Sequence, residues 1–456
     1  MLNQIIDRLE LDERLSGWQV RELARRSTQL FLNKDREESR RRVESLVYEV
    51  EILVTRPAAK PEGKAAAKTK AKAEGKDGDK AMVTGNARFN VDPAGMTRFK
   101  EDLDTAAQSA ALVSNQAYAM TEVAGNVARV ELADPLIVRD AESQLAEAAS
   151  LLRSAAEGEE GVRLAAAEFF AESMRTRYFN SQGVNCLAES SFFSGEFCLL
   201  AKGPKGEAEV FRSFKRRRLA DIGLSAMVAR CAEQSRRGLS AGLPKSGNFD
   251  VVLSGEALDH FFSWCLTQAS ASARYNRLSQ AEIGDQLVRA APGATPLNLS
   301  HNALIPWAVG SYKVDPSGTP GCRRSLIENG VLKARHANAR YAQYLKQAAT
   351  GELGGVEVGA GAEKAGDLLK AGDRPLYHLN DFSYFEPNGV TGEFSSEIRY
   401  GEEISSGGLR PVKGGSVSGL SKTALETARF SLETEQRERY FGPKAIRLEN
   451  LSLAGD

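Results

Sequence analysis

The chain has 456 residues, which at roughly 100–200 residues per domain predicts about two to four domains. Hydrophobic residues make up 42% and charged residues 26%, the balance of a soluble globular protein with ample material for a large core. Lys plus Arg number 60 and Asp plus Glu number 60, a formal net charge of zero; a generic nucleic-acid or membrane-surface binder would carry net basic charge, so neither partner is expected.

In chain order, Leu2, Ile5, Ile6, Leu9 and Leu11 make a rough helical stripe that Trp18, Val20, Leu23, Leu30 and Phe31 continue, so the first forty-odd residues read as helix. The charged run from Arg36 to Arg42 fits a solvated face of it. Val50, Ile52 and Val54 then alternate with Glu49, Glu51 and Leu53, and Ala87, Phe89 and Val91 alternate with Arg88 and Asn90, which predicts two neighbouring antiparallel strands. Between them residues 57–83 read as a disordered Lys-rich insertion, with lysines recurring from Lys60 to Lys80 and no large apolar residue from Pro57 to Asp79. A solvated hairpin tip weighs more here than a basic tether for an acidic partner.

Thr97 to Val113 and Ala141 to Arg175 read as helices, the second broken at Gly158 and Gly161. A strand at Arg177–Phe179 leads into the turn Asn180-Ser181-Gln182-Gly183, and Phe192–Ala201 with Glu207–Phe211 reads as a hairpin. Leu219 to Arg237 is a predicted helix whose basic start, Lys215 to Arg218, reads as the charged end of a surface helix rather than a phosphate contact. Phe249–Leu253 is a short buried strand, and Ser254 is expected to N-cap a helix with Ala257, Leu258, Phe261, Phe262, Cys265 and Leu266 on its apolar side. From about residue 295 the chain reads as β-rich, with helices near His336–Ala349 and Thr423–Ser431 and a mobile loop over Gly351–Gly366. The expected fold class is α+β: an N-terminal α/β domain over 1–240, then a β-rich C-terminal domain over 241–456 holding a central helix.

The chemistry-bearing residues mostly exclude. Cys186, Cys198, Cys231, Cys265 and Cys322 are odd in number and form no C-x-x-C, so a disulfide framework is not expected and a reducing, cytoplasmic compartment is. Met1 to Arg8 meets acidic residues at once and does not read as a secretory signal, and no run of about 18 apolar residues predicts a membrane span. His260, His301, His336 and His378 lie more than thirty residues apart, so no local zinc pair can be drawn. Gly415-Ser416-Val417-Ser418-Gly419 places Val417 where a nucleophile elbow needs serine, and Glu402-Glu403 reads as a solvated pair on a polar loop.

The chain resembles the TldD/PmbA family of peptidases on motifs in that family's order. These are Asn180-Ser181-Gln182-Gly183; Ser246–Ser254, similar to G-x-y-x-V-V-L-x-P; Asp315-Pro316-Ser317-Gly318-Thr319-Pro320 with Ser325–Leu332; Gly392–Glu397 with Arg410–Gly419; and Gly442–Gly455. The resemblance covers roughly residues 180 to 456 and is faint before that.

The resemblance implies an arrangement of two subunits, one bearing zinc on an H-E-x-x-x-H helix and one without. Here that helix offers His260-Phe261-Phe262-Ser263-Trp264-Cys265, with Phe261 at the Glu position and Cys265 at the second His position. Phenylalanine cannot take a proton from zinc-bound water, so the resemblance is to the non-zinc PmbA/TldE side. No catalytic residue or metal ligand is assigned, and His260 and Cys265 are expected to be packing residues at the degenerate zinc position. No cofactor is expected on this chain, and the zinc would sit in a TldD-like paralogue. The implied substrate is an unfolded or small peptide paired to an exposed strand, with Ser395 and Ser396 on the F-S segment as the chamber-facing residues. Alternatives are a homo-oligomeric peptide-binding or scaffold protein, and a hydrolase with a site of its own.

Overall fold

A computed structural model describes residues 1–58, 81–123, 127–204 and 206–456. The core of the expected insertion, 59–80, lies outside the described residues; its expected edges do not, and Pro57 closes one strand while Met82 and Val83 open the next. Chain-ordered strands are β1 (Gly17–Asn33), β2 (Arg36–Pro57), β3 (Met82–Val91), β4 (Asn115–Gln116), β5 (Val162–Asn180), β6 (Asn185–Gly203) and β7 (Gly206–Arg216). They form one sheet in the order β4-β3-β2-β1-β5-β6-β7, antiparallel at every pairing. Helices α1 (Leu2–Glu10), α2 (Phe99–Leu112), α3 (Ala141–Glu157) and α4 (Leu224–Gly238) pack on it in two cores. Ile5, Val20, Ile52 and Phe99 meet in one, and Leu145, Phe169, Phe197 and Val228 in the other.

Helix was the wrong reading of the first forty residues beyond Glu10. β1 and β2 make a long hairpin that turns at Lys34, which adopts φ 57. Trp18 and Val20, and further on Leu30 and Leu32, are buried while the intervening Phe31 is only half-buried, a period of two that the apolar stripe concealed. The charged run belongs to β2, where Arg41 lies over the Phe31 ring at 5.1 Å. The second predicted helix stops at Glu157, and Val162–Asn180 is β5, held between β1 and β6. Its alanines favour helix in isolation; two flanking ladders override that preference.

The remaining strands are β8 (Gly247–Ser254), β9 (Leu299–Asn302), β10 (Arg323–Glu328), β11 (Val331–Leu332), β12 (Gly355–Val358), β13 (Leu376–Phe382), β14 (Glu393–Ser405), β15 (Gly408–Val412), β16 (Ser416–Leu420), β17 (Arg429–Phe430), β18 (Thr434–Gln436), β19 (Tyr440–Pro443) and β20 (Ala445–Ala454). β13-β8-β20-β16-β14 closes on itself, because β14 also pairs β13. Val251, Leu253, Leu379, Ile398 and Val417 are among the side chains of its core. A second sheet runs β11-β10-β9-β12-β19-β18. The expected loop over 351–366 contains β12, whose Val356 and Val358 are buried in this core. The expected late helices are present at Ala339–Tyr344 and Ser421–Glu426. The helix after β8 is broken into α5 (Ala257–His260) and α6 (Ser263–Gln268), and Ser254 caps neither; it ends β8.

The two halves meet through buried polar groups. Asp315 Oδ1 accepts from the backbone of Ser317 (2.8 Å) and Thr319 (2.8 Å), and Oδ2 accepts from Glu352 N (2.9 Å). The turn this builds offers the Ser317 carbonyl to Tyr178 Oη at 2.9 Å, and Asn180 Nδ2 donates to the same phenol oxygen at 3.2 Å. The Asn180–Gly183 and Asp315–Pro320 motifs are therefore two sides of one contact. Gly318 is required there: its φ is +82, and an added Cβ would stand 2.6 Å from the Tyr178 ring.

The basic start Lys215–Arg218 is neither a surface-helix end nor an open phosphate site. Arg217 is buried and donates to the carbonyls of Ala308 (2.8 Å), Leu132 (3.1 Å), Val309 (3.1 Å) and Ser311 (2.7 Å). Burial pulls its guanidinium down to about 10. Arg218 stacks over Trp307 at 4.2 Å and pairs with Asp221.

Gly318→Ala should lower stability by on the order of 3 kcal/mol, from overpacking against Tyr178 and left-handed strain together, read from the urea midpoint.

Candidate functional site

β7 is the end strand of its sheet, and residues 208–211 of it line a cleft shared with the closed barrel. Arg212 on β7 reaches Glu256 (3.1 Å), Asp381 (3.2 Å) and Gln234 of α4 (3.2 Å). Burial raises the Asp381 carboxyl and Arg212 opposes that. Above this ion pair lies a cavity of about 490 Å³, with Phe211, Gln234, Asp381, Ser383, Glu397 and Arg399 among its walls. The cavity wall is of mixed charge, with Asp381 and Glu397 beside Arg399.

The degenerate helix lies in the barrel half. The expectation that both residues pack holds for only one of them: His260 ends α5 exposed and is not a packing residue, whereas Cys265 in α6 is buried among Phe261, Phe262 and the core, where burial pushes its thiol up to about 12. Phe261 and Phe262 contact each other edge to face at 5.3 Å, and Phe262 stacks on Tyr440 at 6.2 Å. The residue at the Glu position therefore points into an apolar core, not toward solvent. His260 and Cys265 do not converge, and among the described residues no three His, Cys, Asp or Glu side chains are grouped to hold a metal. These residues do not fit a zinc site. Beside His260, Asp259 instead holds Arg437 with both carboxylate oxygens at 3.1 Å.

The other histidines are placed by hydrogen bonds. His301 Nε2 donates to the Thr350 carbonyl (3.0 Å) and Nδ1 accepts from Gly354 N (3.2 Å), which fixes a neutral ring. Burial first, then His336, pull it down to about 4. His378 Nε2 lies 2.8 Å from Ser254 Oγ.

Ser395 and Ser396 point to opposite sides of β14. Ser395 is exposed, on the same face as Glu397 and Arg399 of the cavity wall; Ser396 is buried and donates to the Tyr384 carbonyl. Glu402 and Glu403 are not on a polar loop. They sit in β14, where Glu402 pairs with Arg237 (2.6 Å) and buried Glu403 with Lys245 (3.2 Å) and Arg410. Sequence reasoning missed Arg212, Asp381 and Glu402, whose partners are distant in the chain; an arginine alternating with apolar residues in β7 was the one local signal.

An antiparallel sheet facing a side-chain-filled barrel across a cleft, with aromatic side chains of the broken helix filling the barrel core, defines the class: a two-part α+β scaffold. Residues 246–455 match the PmbA/TldA metallopeptidase C-terminal domain. They form a C-terminal domain of the TldD/PmbA family, and the whole chain has that family's fold. TldE from Thermococcus kodakarensis superposes with a TM-score of 0.79 at 16% identity, covering 100% of both chains. A protein of Thermotoga maritima described as a proposed modulator of a DNA gyrase gives 0.79 at 17% identity, also over 100% of both chains. Its counterpart from Bacteroides thetaiotaomicron gives 0.80 at 14%, over 100% of this chain and 98% of that one. The uncharacterized protein MJ0231 of Methanocaldococcus jannaschii is 23% identical over 282 residues, which span 59% of this chain and 65% of that relative. Among the described residues no helix is long and apolar enough to cross a membrane.

Phe261→Glu should not restore metal chemistry; it should cost at least the ~3–5 kcal/mol of a Phe→Ala truncation, because it also buries a charge, read by chemical denaturation. His301 is neutral when folded but protonates near its ordinary value of 6.5 when unfolded. Stability should therefore fall as pH drops from 6.5 to about 4, by on the order of 3 kcal/mol. His301→Gln should remove that part of the pH slope.

Proposed function

We propose that this chain is the non-zinc, TldE/PmbA-like subunit of a heterodimeric TldD/TldE-type metallopeptidase of the cytoplasm. It closes the substrate chamber and stabilises a catalytic paralogue that supplies the zinc and the general base. The observation that carries this reading is the aromatic plug: the family scaffold is kept while Phe261 and Cys265 are sunk in its core. The substrate class is an unfolded or small peptide. The end strand β7 offers main-chain groups beside the cavity, the requirement for recognising an extended peptide by strand addition. Ser395, not Ser396, is the serine of the F-S segment that faces outward toward it.

The competing reading is a homo-oligomeric peptide-binding or scaffold protein. Gentle purification from native cells separates the two. A stoichiometric H-E-x-x-x-H paralogue is expected, whereas a chain that elutes only with copies of itself sinks the peptidase-subunit reading. The reconstituted pair should degrade an unfolded peptide and lose that activity to a zinc chelator. Ser395→Trp should raise KM for the peptide severalfold without shifting the thermal midpoint.

A further inference from the structure

On the outer face of the barrel three side chains from separate strands stand in line. Ser254 closes β8, His378 is on β13, and Glu402 is its cross-strand neighbour on β14. Ser254 Oγ is 2.8 Å from His378 Nε2, and the other ring nitrogen, Nδ1, is 3.9 Å from Glu402 Oε2. Glu402 is held from behind, by Arg237 of α4 at 2.6 Å and the Tyr400 hydroxyl at 3.2 Å, both on Oε1, so that Oε2 is the oxygen left toward the imidazole. The proximity of His378, then the Arg237 guanidinium, keep this carboxyl below its ordinary range against the cost of burial. Immediately after Ser254 the chain turns sharply at Gly255, φ +68, into α5, and a Cβ there would meet the Asn380 carbonyl at 3.3 Å. A serine on a strand end before a tight turn into helix is thus presented to a base oriented by a third group, the general requirement for an activated nucleophile. All three side chains are half-buried, not sealed.

We propose that Ser254, His378 and Glu402 form a second, metal-independent site that hydrolyses carboxylic esters. Esters are the class because an alkoxide leaves more readily than an amine, and a 3.9 Å separation orients the imidazole only loosely. With the Nδ1 proton toward Glu402, Nε2 takes the Ser254 proton as Oγ bonds to the ester carbonyl carbon. The imidazolium returns that proton to the departing alcohol as the ester C–O bond breaks, leaving an acyl-serine. Water then attacks the acyl carbon, its proton passing through His378 to Oγ, and the carboxylic acid departs. Nothing beyond water is consumed. Ser254 and His378 touch the reacting atoms; Glu402 is a positioning residue.

The test uses the full chain alone, in a zinc chelator, so that its outcome is independent of any peptidase partner. The probes are a fluorophosphonate and p-nitrophenyl butyrate. Peptide mapping should place the phosphonate on Ser254, and Ser254→Ala should abolish both labelling and ester hydrolysis. His378→Asn should slow labelling by roughly a hundredfold. Glu402→Gln should lower kcat with KM unchanged, and Glu402→Asp should restore part of it, which a merely structural loss would not do. Should the His378 or Glu402 variants fail to fold by circular dichroism, the mapped position on the wild-type chain and the Ser254→Ala comparison decide. Absence of phosphonate on Ser254 in the folded wild type, or ester hydrolysis that survives Ser254→Ala, overturns the proposal.

Discussion

Arg217 carries a full positive charge into the seam between the N-terminal sheet and the barrel half, with backbone carbonyls as its hydrogen-bond partners. Charge-assisted bonds of this kind offset much of the desolvation cost, but only if every carbonyl is in place. The constraint is mutual. The carbonyls of Ala308, Val309 and Ser311 rely on Arg217, and β7, which ends at Arg216, is thereby held against the opposite half. The Asp315 turn against Tyr178 fixes the seam at a second point. With both in place the cleft along β7 has a defined width, and Arg212 can reach Asp381 and Glu256 across it.

The broken helix after β8 shows what fills the barrel core. Large aromatic residues at the Glu position and next to it fill the centre of the core, against Phe394, Phe385, Phe430 and Tyr440. A helix carrying metal ligands must present them on an accessible face. Here the break between His260 and Ser263 rotates Phe261 and Phe262 inward, and the apolar area they bury stabilises the fold.

Much of the barrel half was legible in the sequence. The Val251-Val252-Leu253 run is a strand buried on both faces, and such runs are continuous rather than alternating. The β6–β7 hairpin and the Asn180–Gly183 turn follow from local turn chemistry. Apart from that hairpin and turn, which belong to it, the N-terminal sheet was far less legible. β1 and β5 are built largely of Ala, Leu, Arg, Glu and Gln, residues that favour helix, and only the ladders on both sides of each strand decide otherwise. The polar groups that matter most were illegible for a different reason. Ser254 and His378 are 124 residues apart in the chain, and Arg217 finds carbonyls rather than carboxylates, so no charge pattern announces it.

The barrel closes only when β20 lies between β8 and β16. β8 ends at Ser254 and β20 begins at Ala445, so at ~5–20 residues per second a ribosome needs roughly ten to forty seconds to pass from one to the other. Throughout that interval the apolar strand β8 has no neighbour on its β20 side, while the N-terminal sheet, whose strands are all made before it, is free to form. All residues of that sheet, including Arg212 and Arg216 of its end strand β7, are made before the first barrel strand. Order of synthesis leaves the N-terminal sheet complete in sequence well before the strands that close the barrel exist.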